Sequence, residues 1–334
     1  MMNSGLKDLG EFGLIDLIKQ DTIQDPSSVI AGIGDDAAIV LPTPRQLQLL
    51  TTDMLVESVH FDLKTTTPWQ LGYKAVAVNL SDIAAMGGNP KQALVSLAIP
   101  KTTPADFVVD LYKGMKEICR EFGVNIVGGD TVSTPQTLTI NVAVLGEVEP
   151  GGIVRRSGAG MGDIVAVTGT LGNSGAGLDL LLAGDWEEHD FAWPLVTAHL
   201  TPRPQVKAGQ LLGGMGVSSL NDVSDGLASE AHEISLASEV GMHIFADKIP
   251  LAGELKAAAA LLHTEALHYA LYGGEDYQLL FTAEPSRWGQ LAEMDIGVEV
   301  TAIGKVTRKE EGVKLVMPDG RILPLEPKGY NHFR

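Results

Sequence analysis

Apolar residues recur along this chain at two spacings. Between residues 104 and 122 they fall every three or four positions (Phe107, Val108, Leu111, Met115, Ile118, Phe122), which predicts an amphipathic helix. Over 138–147 they alternate and include β-branched residues, which predicts a strand. The same reading predicts a short helix over 11–19 and strands over 29–41 and 48–52. It places a helix over 68–86, with Pro68 at its start and Gly87-Gly88 at its end. Strands over 92–99 and 124–127 follow, the second running into Gly128-Gly129-Asp130. Glu149-Pro150-Gly151-Gly152 is the best boundary, dividing the chain into domains 1–150 and 151–334. In the second part, strands are predicted over 163–168, 218–223 and 279–282, with two or three more over 298–324. Helices are predicted over 178–182, 205–212, 227–239 and 254–262, and 186–193 reads as a surface loop.

A length of 334 residues agrees with two domains and allows a sizeable core. Hydrophobic content of 45% and charged content of 20% describe an ordinary globular protein. The net charge of −18 argues against nucleic acid or an anionic membrane as partner, since both require a basic surface. It leaves room for anionic small substrates if metal ions neutralise them locally. A single cysteine, Cys119, rules out an intramolecular disulfide framework and a cysteine-based zinc site. It falls in the helical pattern, reads as a buried structural thiol and suits a reducing cytoplasm. Residues 1–12 carry acids and no apolar signal core, and no apolar run reaches membrane-spanning length.

The candidate chemistry lies in acids set beside glycines or small residues. Gly32-Ile33-Gly34-Asp35-Asp36 places adjacent carboxylates at a tight turn, where either water or a cation must separate them. Alone it reads as a solvated turn. The theme recurs, however, at Thr51-Thr52-Asp53, Ser81-Asp82, Gly128-Gly129-Asp130, Asn221-Asp222-Val223-Ser224-Asp225-Gly226 and Gly273-Gly274-Glu275-Asp276. Short hard-oxygen side chains are what Mg²⁺ takes, usually alongside phosphate oxygens. If these turns converge, they form a many-carboxylate cleft for several Mg²⁺ ions and a polyphosphate, which is most of what phosphoryl transfer needs. Ser81-Asp82 before Gly128-Gly129-Asp130 faintly echoes Ser224-Asp225 before Gly273–Asp276, although such short motifs recur by chance.

Other signals are weaker. The run Gly169–Gly177 sits between a strand and a helix, where phosphate loops occur, but it lacks the Walker lysine and does not match G-x-G-x-x-G. Its alternative role is a turn needing glycine for close packing. His60 follows a strand-like run, where a lone histidine is more often structural. Arg155-Arg156 could grip phosphate or form a solvated pair.

In their order, these motifs resemble the thiamine-monophosphate kinase family. The resemblance runs from Gly10-Glu11-Phe12 through Gly32–Asp36, Thr52-Asp53 with Val59-His60-Phe61, and Lys74-Ala75. It continues through Asp82–Gly87, Val127–Thr131, Arg156-Ser157-Gly158, Val223–Leu227 and Gly273–Tyr277 to Lys328–Phe333. It implies two α/β (α+β) domains of the aminoimidazole ribonucleotide synthase-like, or PurM-like, fold. Two N-terminal sheets would pair in a homodimer, with the ATP cleft between domains. It also implies ATP-dependent phosphorylation of thiamine monophosphate to thiamine diphosphate, with direct transfer and several Mg²⁺ ions. The implied metal ligands are Asp36, Thr51, Thr52, Asp53, Asp82, Asp130 and Asp222, with Asp225 holding a further ion. Asp53, Asp82 and Asp130 are the implied catalytic acids. Tyr112, Gly129, Asp130, Arg156 and Ser224 would contact ATP, and His60, Glu275 and Tyr330 the thiamine moiety. Glu275 offers opposite charge, and Tyr330 an aromatic face, to a thiazolium cation. Selenophosphate synthases and hydrogenase-maturation proteins should carry a reactive or terminal cysteine that this sequence lacks. An aminoimidazole ribonucleotide synthase, or a non-catalytic nucleotide-binding relative, stays open at this point.

Overall fold

The computed structural model describes residues 6–34 and 37–330 and divides into two compact units. The first comprises Met1–Ile83 and Asn89–Pro150, and the second comprises Ala84–Gly88 and Gly151–Arg334. Asp35 and Asp36 lie outside the described residues, as do Asn331, His332 and Phe333.

In the first unit, α1 (Leu6–Ile18) precedes a small antiparallel pair, β1 (Val29–Ala31) and β2 (Ile39–Val40). Then come β3 (Leu47–Val56), α2 (Pro68–Ala85), β4 (Asn89–Pro100), α3 (Ala105–Phe122), β5 (Asn125–Thr134) and β6 (Thr139–Val148). The sheet order is β3-β6-β4-β5. Its parallel pair, β4 with β5, is joined through α3, since parallel neighbours need a crossover. Alternation gives the sheet two unlike faces. Ala93, Val95, Leu97, Ile140, Val142 and Val144 are buried on one, while Leu50, Met54, Leu94 and Val132 are exposed on the other. Helix α3 buries Val108, Leu111, Met115, Ile118 and Cys119 and ends at Gly123, whose left-handed conformation lets its N–H reach the Cys119 carbonyl. Burial pushes the Cys119 thiol up to about 12, as suits an inert core residue. The 124–127 strand is longer than expected, and Gly128-Gly129-Asp130 lies within it, because β4 supplies a ladder along its whole length.

Helices α2 and α3 touch backbone to backbone. A Cβ on Gly72 would lie 1.9 Å from the Leu111 carbonyl oxygen, and one on Gly114 would lie 1.8 Å from that of Trp69. No rotamer relieves a clash with backbone. Gly114→Ala should therefore destabilise the protein by at least about 1–3 kcal/mol, the usual overpacking range, despite alanine's better helix propensity. Urea unfolding measures it, and an unchanged or raised midpoint would show that the helices can separate freely.

The second unit contains β7 (Ile164–Thr168), α4 (Asn173–Ala183), α5 (Ala192–Leu200), α6 (Val206–Gly214), β8 (Ser219–Asp222), α7 (Leu227–Ser238) and β9 (Gly241–Phe245). It continues with α8 (Gly253–Leu261), α9 (Ala266–Tyr272), β10 (Leu279–Ala283), α10 (Pro285–Glu293), β11 (Val300–Thr307), β12 (Val313–Val316) and β13 (Ile322–Pro324). The sheet order is β13-β12-β9-β11-β7-β10-β8. Val165, Val167, Leu280, Ile303 and Ile244 from its strands pack against Leu227, Ala231 and Ile234 of α7. A second apolar cluster joins α4, α5, α8 and α9 through Leu180, Leu195, Val196, Leu255 and Tyr269. Strand β9 and helices α5, α9 and α10 were not expected from the sequence. The helix expected at 178 begins at Asn173, inside the glycine run. The expected loop at 186–193 holds a short 3-10 turn, with the Trp186 and Trp193 rings 5.6 Å apart.

Candidate functional site

In the first unit, alternation along β3 turns Thr51 and Asp53 to the face of Leu49 and Leu55. The Thr51 hydroxyl donates to Asp82 Oδ2 in the last turn of α2. Asp53 lies against the same carboxylate. Burial, then the Asp82 charge and a hydrogen bond to it, push the Asp53 carboxyl up to about 7. Two acids so placed must share a proton or a cation. Among the described residues, no three His, Cys, Asp or Glu side chains gather closely enough to hold an ion alone. Two carboxylates with a hydroxyl nevertheless suit Mg²⁺, which keeps waters and takes substrate phosphate oxygens for its remaining positions.

The other residues expected in this unit are more dispersed. Thr52 faces the opposite side of the sheet, where its hydroxyl donates to the Val142 carbonyl at 3.1 Å and accepts from Asn141 Nδ2 at 2.9 Å. Asp130 is on β5, the opposite edge strand from β3, about 14 Å across three strand spacings. Its Oδ1 accepts the Thr131 N–H at 2.8 Å. The structure therefore does not bring Asp130 to the Asp53–Asp82 pair. Next to it, Gly129 approaches β4 so closely that a Cβ would lie 1.8 Å from the Val95 oxygen. His60 Nδ1 accepts the Val56 N–H at 3.0 Å, which places the ring proton on Nε2. Tyr112 is buried in α3, which holds its phenol above the usual range. It borders a cavity of about 440 Å³ with Leu17, Trp69, Lys116 and Arg120, and none of the expected metal ligands lines that cavity.

The second unit gathers its expected residues around one turn. Strand β8 ends at Asp222, and Val223–Gly226 leads into α7. The Glu275 N–H donates to the Ser224 carbonyl at 2.6 Å, and the Tyr277 N–H to that of Val223 at 2.9 Å. A Cβ on Gly329 would lie 1.9 Å from the Asp225 carbonyl oxygen, so the C-terminal segment bearing Tyr330 rests directly on the turn. Ser224, Asp225, Glu275 and Tyr330 are thus brought together from three separate stretches of chain.

Beneath the turn lies a residue that sequence reasoning missed. Glu230, 2% exposed, accepts from the Asp225 N–H at 3.0 Å and the Ser224 hydroxyl at 3.3 Å through Oε1. Its Oε2 accepts from Asn221 Nδ2, and Asn221 Oδ1 accepts Arg156 Nε at 2.9 Å. Arg156 also pairs with Glu233 at 2.8 Å. Burial, then the Asp222 charge, push the Glu230 carboxyl up to about 8. One buried acid thus ties together the Ser-Asp turn and the arginine. The one available signal was an acid on the first turn of the helix that follows Ser224-Asp225-Gly226.

The glycine run proves to be a packing turn. Gly172 carries φ +85, and a Cβ there would sit 2.6 Å from the Ala270 nitrogen. The N-terminus of α4 is already filled. Asp276 accepts the Gly172 and Ser174 N–H groups at 2.5 and 3.1 Å and that of Asn173 as well. Burial outweighs those donors and raises its carboxyl to about 7. A phosphate has no place there.

Two sheet-bearing units with acid-rich turns define the class, and family models agree. The AIR synthase related protein N-terminal domain matches residues 34–148 and the corresponding C-terminal domain matches 160–316. Thiamine-monophosphate kinase of Bacillus subtilis (strain 168) is 41% identical over 333 residues, covering 98% of this chain and all of that protein. That of Aquifex aeolicus (strain VF5) is 42% identical over 328 residues, covering 98% and 99%. The solved structure of AaThiL complexed with AMPPCP and TMP superposes with a TM-score of 0.79 at 38% identity over the full length of both chains. The chain belongs to the thiamine-monophosphate kinase family.

Proposed function

We propose that this protein transfers the γ-phosphoryl group of ATP to the phosphate of thiamine monophosphate, producing thiamine diphosphate and ADP. The observation that carries this reading is the assembly of Ser224, Asp225, Glu275 and Tyr330 at one turn, in a chain of full-length kinship to these kinases. A solved relative named as complexed with AMPPCP and TMP supports the same pair of substrates. Glu275 and Tyr330 offer a carboxylate and an aromatic face to the thiazolium, and His60 a ring N–H. Arg156, steered by Asn221 and Glu233, and Ser224 serve ATP, together with Gly129 and Tyr112. Thr51, Asp53 and Asp82 would hold Mg²⁺, and Asp222 and Asp225 further ions. Thr52, Asp130 and Asp36 enter the ligand set by motif alone. Bound Mg²⁺ would supply charge neutralisation between two anionic reactants.

The exposed apolar sheet face, with Leu50 77% and Met54 53% exposed, supports the homodimer, the first unit serving dimerisation and metal binding. A buried lone cysteine suits the cytoplasm.

The test incubates purified protein with ATP, Mg²⁺ and either thiamine monophosphate or formylglycinamidine ribonucleotide. Thiamine diphosphate and ADP should form with the first. Turnover with the second alone would assign an aminoimidazole ribonucleotide synthase instead, and ATP binding without turnover would overturn the enzymatic reading.

A further inference from the structure

Glu275 is held in an uncommon conformation. Its φ is +66° and that of Tyr277 is +49°, so two non-glycine residues within three positions adopt left-handed backbone. Such conformations persist only where their surroundings over-determine them, and they cluster at functional sites. Here the determinants are the Glu275 and Tyr277 N–H bonds to the Ser224 turn and the Asp276 carboxylate locked onto the start of α4. These fix the backbone of the segment. The carboxylate of Glu275 needs a separate constraint, because three side-chain torsions still separate it from the backbone.

That constraint comes from α5. His199 is buried in the second apolar cluster's helix, between Leu195, Val196 and Leu200 in sequence. Its Nδ1 lies 3.3 Å from Glu275 Oε2 and 3.1 Å from the Ser174 hydroxyl of α4. His199 is 7% exposed at its side chain and Glu275 26%, so the contact is made below the surface while the carboxylate still reaches solvent. One ring nitrogen therefore faces two oxygens. A carboxylate only accepts, so a hydrogen bond from the ring to Glu275 requires the proton on Nδ1, with the Ser174 hydroxyl oxygen as its second acceptor. A proton on Nδ1 lets the ring align the Glu275 carboxylate.

We propose that His199, seated by Ser174, is a positioning residue that holds Glu275 for the cationic ring of the acceptor substrate. This rests on the assignment of Glu275 to the thiamine moiety made above. The pair affects the acceptor and not the nucleotide, so its signature is a change in KM for thiamine monophosphate with KM for ATP and kcat little altered.

The test compares steady-state constants of His199→Leu, His199→Asn, His199→Gln and Glu275→Gln. Asparagine carries its amide N–H close to the place of Nδ1, whereas glutamine carries it beyond. KM for thiamine monophosphate should rise at least about tenfold, equivalent to about 1.4 kcal/mol, in His199→Leu and His199→Gln. It should stay within about threefold of wild type in His199→Asn, and His199→Leu should add little in a Glu275→Gln background. The contrast between asparagine and glutamine decides the matter even where the leucine variant fails to fold. Equal KM values for those two variants, or parallel rises in both substrates' KM, would reduce His199 to a packing role. A raised KM in Glu275→Gln with none in the His199 variants would overturn the positioning role and leave Glu275 at the substrate. An unchanged KM in Glu275→Gln would remove the substrate assignment itself.

Discussion

Asp53→Asn is expected to lower kcat by more than about tenfold, and by a hundredfold or more if the lost charge stabilisation amounts to several kcal/mol. The reason is geometric. Asp53 and Asp82 come from a strand and a helix and meet with the Thr51 hydroxyl, leaving two like charges that only a cation or proton reconciles. The asparagine keeps the shape but removes one charge, so it should weaken Mg²⁺ binding while relieving repulsion in the metal-free protein. Activity and metal-free stability are then expected to move in opposite directions, as they do where a site is built against local stability. Steady-state assays across a Mg²⁺ titration, paired with thermal unfolding in EDTA, measure both. Near-normal turnover at saturating Mg²⁺ would refute the metal role. Asp130→Asn is the informative companion. Asp130 stands on the far edge of the same sheet, so a comparable loss of kcat would mean that the reactants span that distance.

Stability of the metal-free protein is expected to fall as pH rises from about 5 to 8.5. Asp53 and Asp276 are raised to about 7 and Glu230 to about 8, each chiefly by burial. An acid whose folded pKa lies above its unfolded value binds more protons when folded. Its contribution is therefore present at low pH and is lost as pH rises from the unfolded value through the folded one. A tenfold difference in proton affinity between the two states corresponds to about 1.4 kcal/mol. Mg²⁺ competes with those protons at Asp53, so added Mg²⁺ should raise Tm more at pH 8 than at pH 5.5. Differential scanning fluorimetry with EDTA or Mg²⁺ at both pH values is sufficient. A Tm gain independent of pH would place the ion elsewhere. The Asp276 and Glu230 contributions should persist in Asp53→Asn, which separates them from the metal pair.

Much of the scaffold was legible in the residues. The period of three and four in α3, the proline and glycine that bound α2, and the alternation of β6 are local properties, and the elements appear where they were expected. The errors lie where distant partners override local preference. Gly128-Gly129-Asp130 looks like a strand terminus, but β4 pairs with it and draws it into the sheet. The glycines at 172 and 175 look like loop, yet α4 begins among them because a carboxylate about a hundred residues away binds its N-terminal amides.

The acid-rich turns, their order and the chemistry they suit could be read from the chain alone, because donor type and turn-forming glycines are written residue by residue. Which acids meet could not, because that depends on the register of strands and on helices that converge from afar. Tertiary structure paired Asp53 with Asp82 and set Asp130 on the opposite edge. It placed Glu230 beneath Ser224 and Asp225 and seated Glu275 against His199. A buried carboxylate acquires its partners and its proton affinity only from the walls folded around it, and no local spacing encodes those walls.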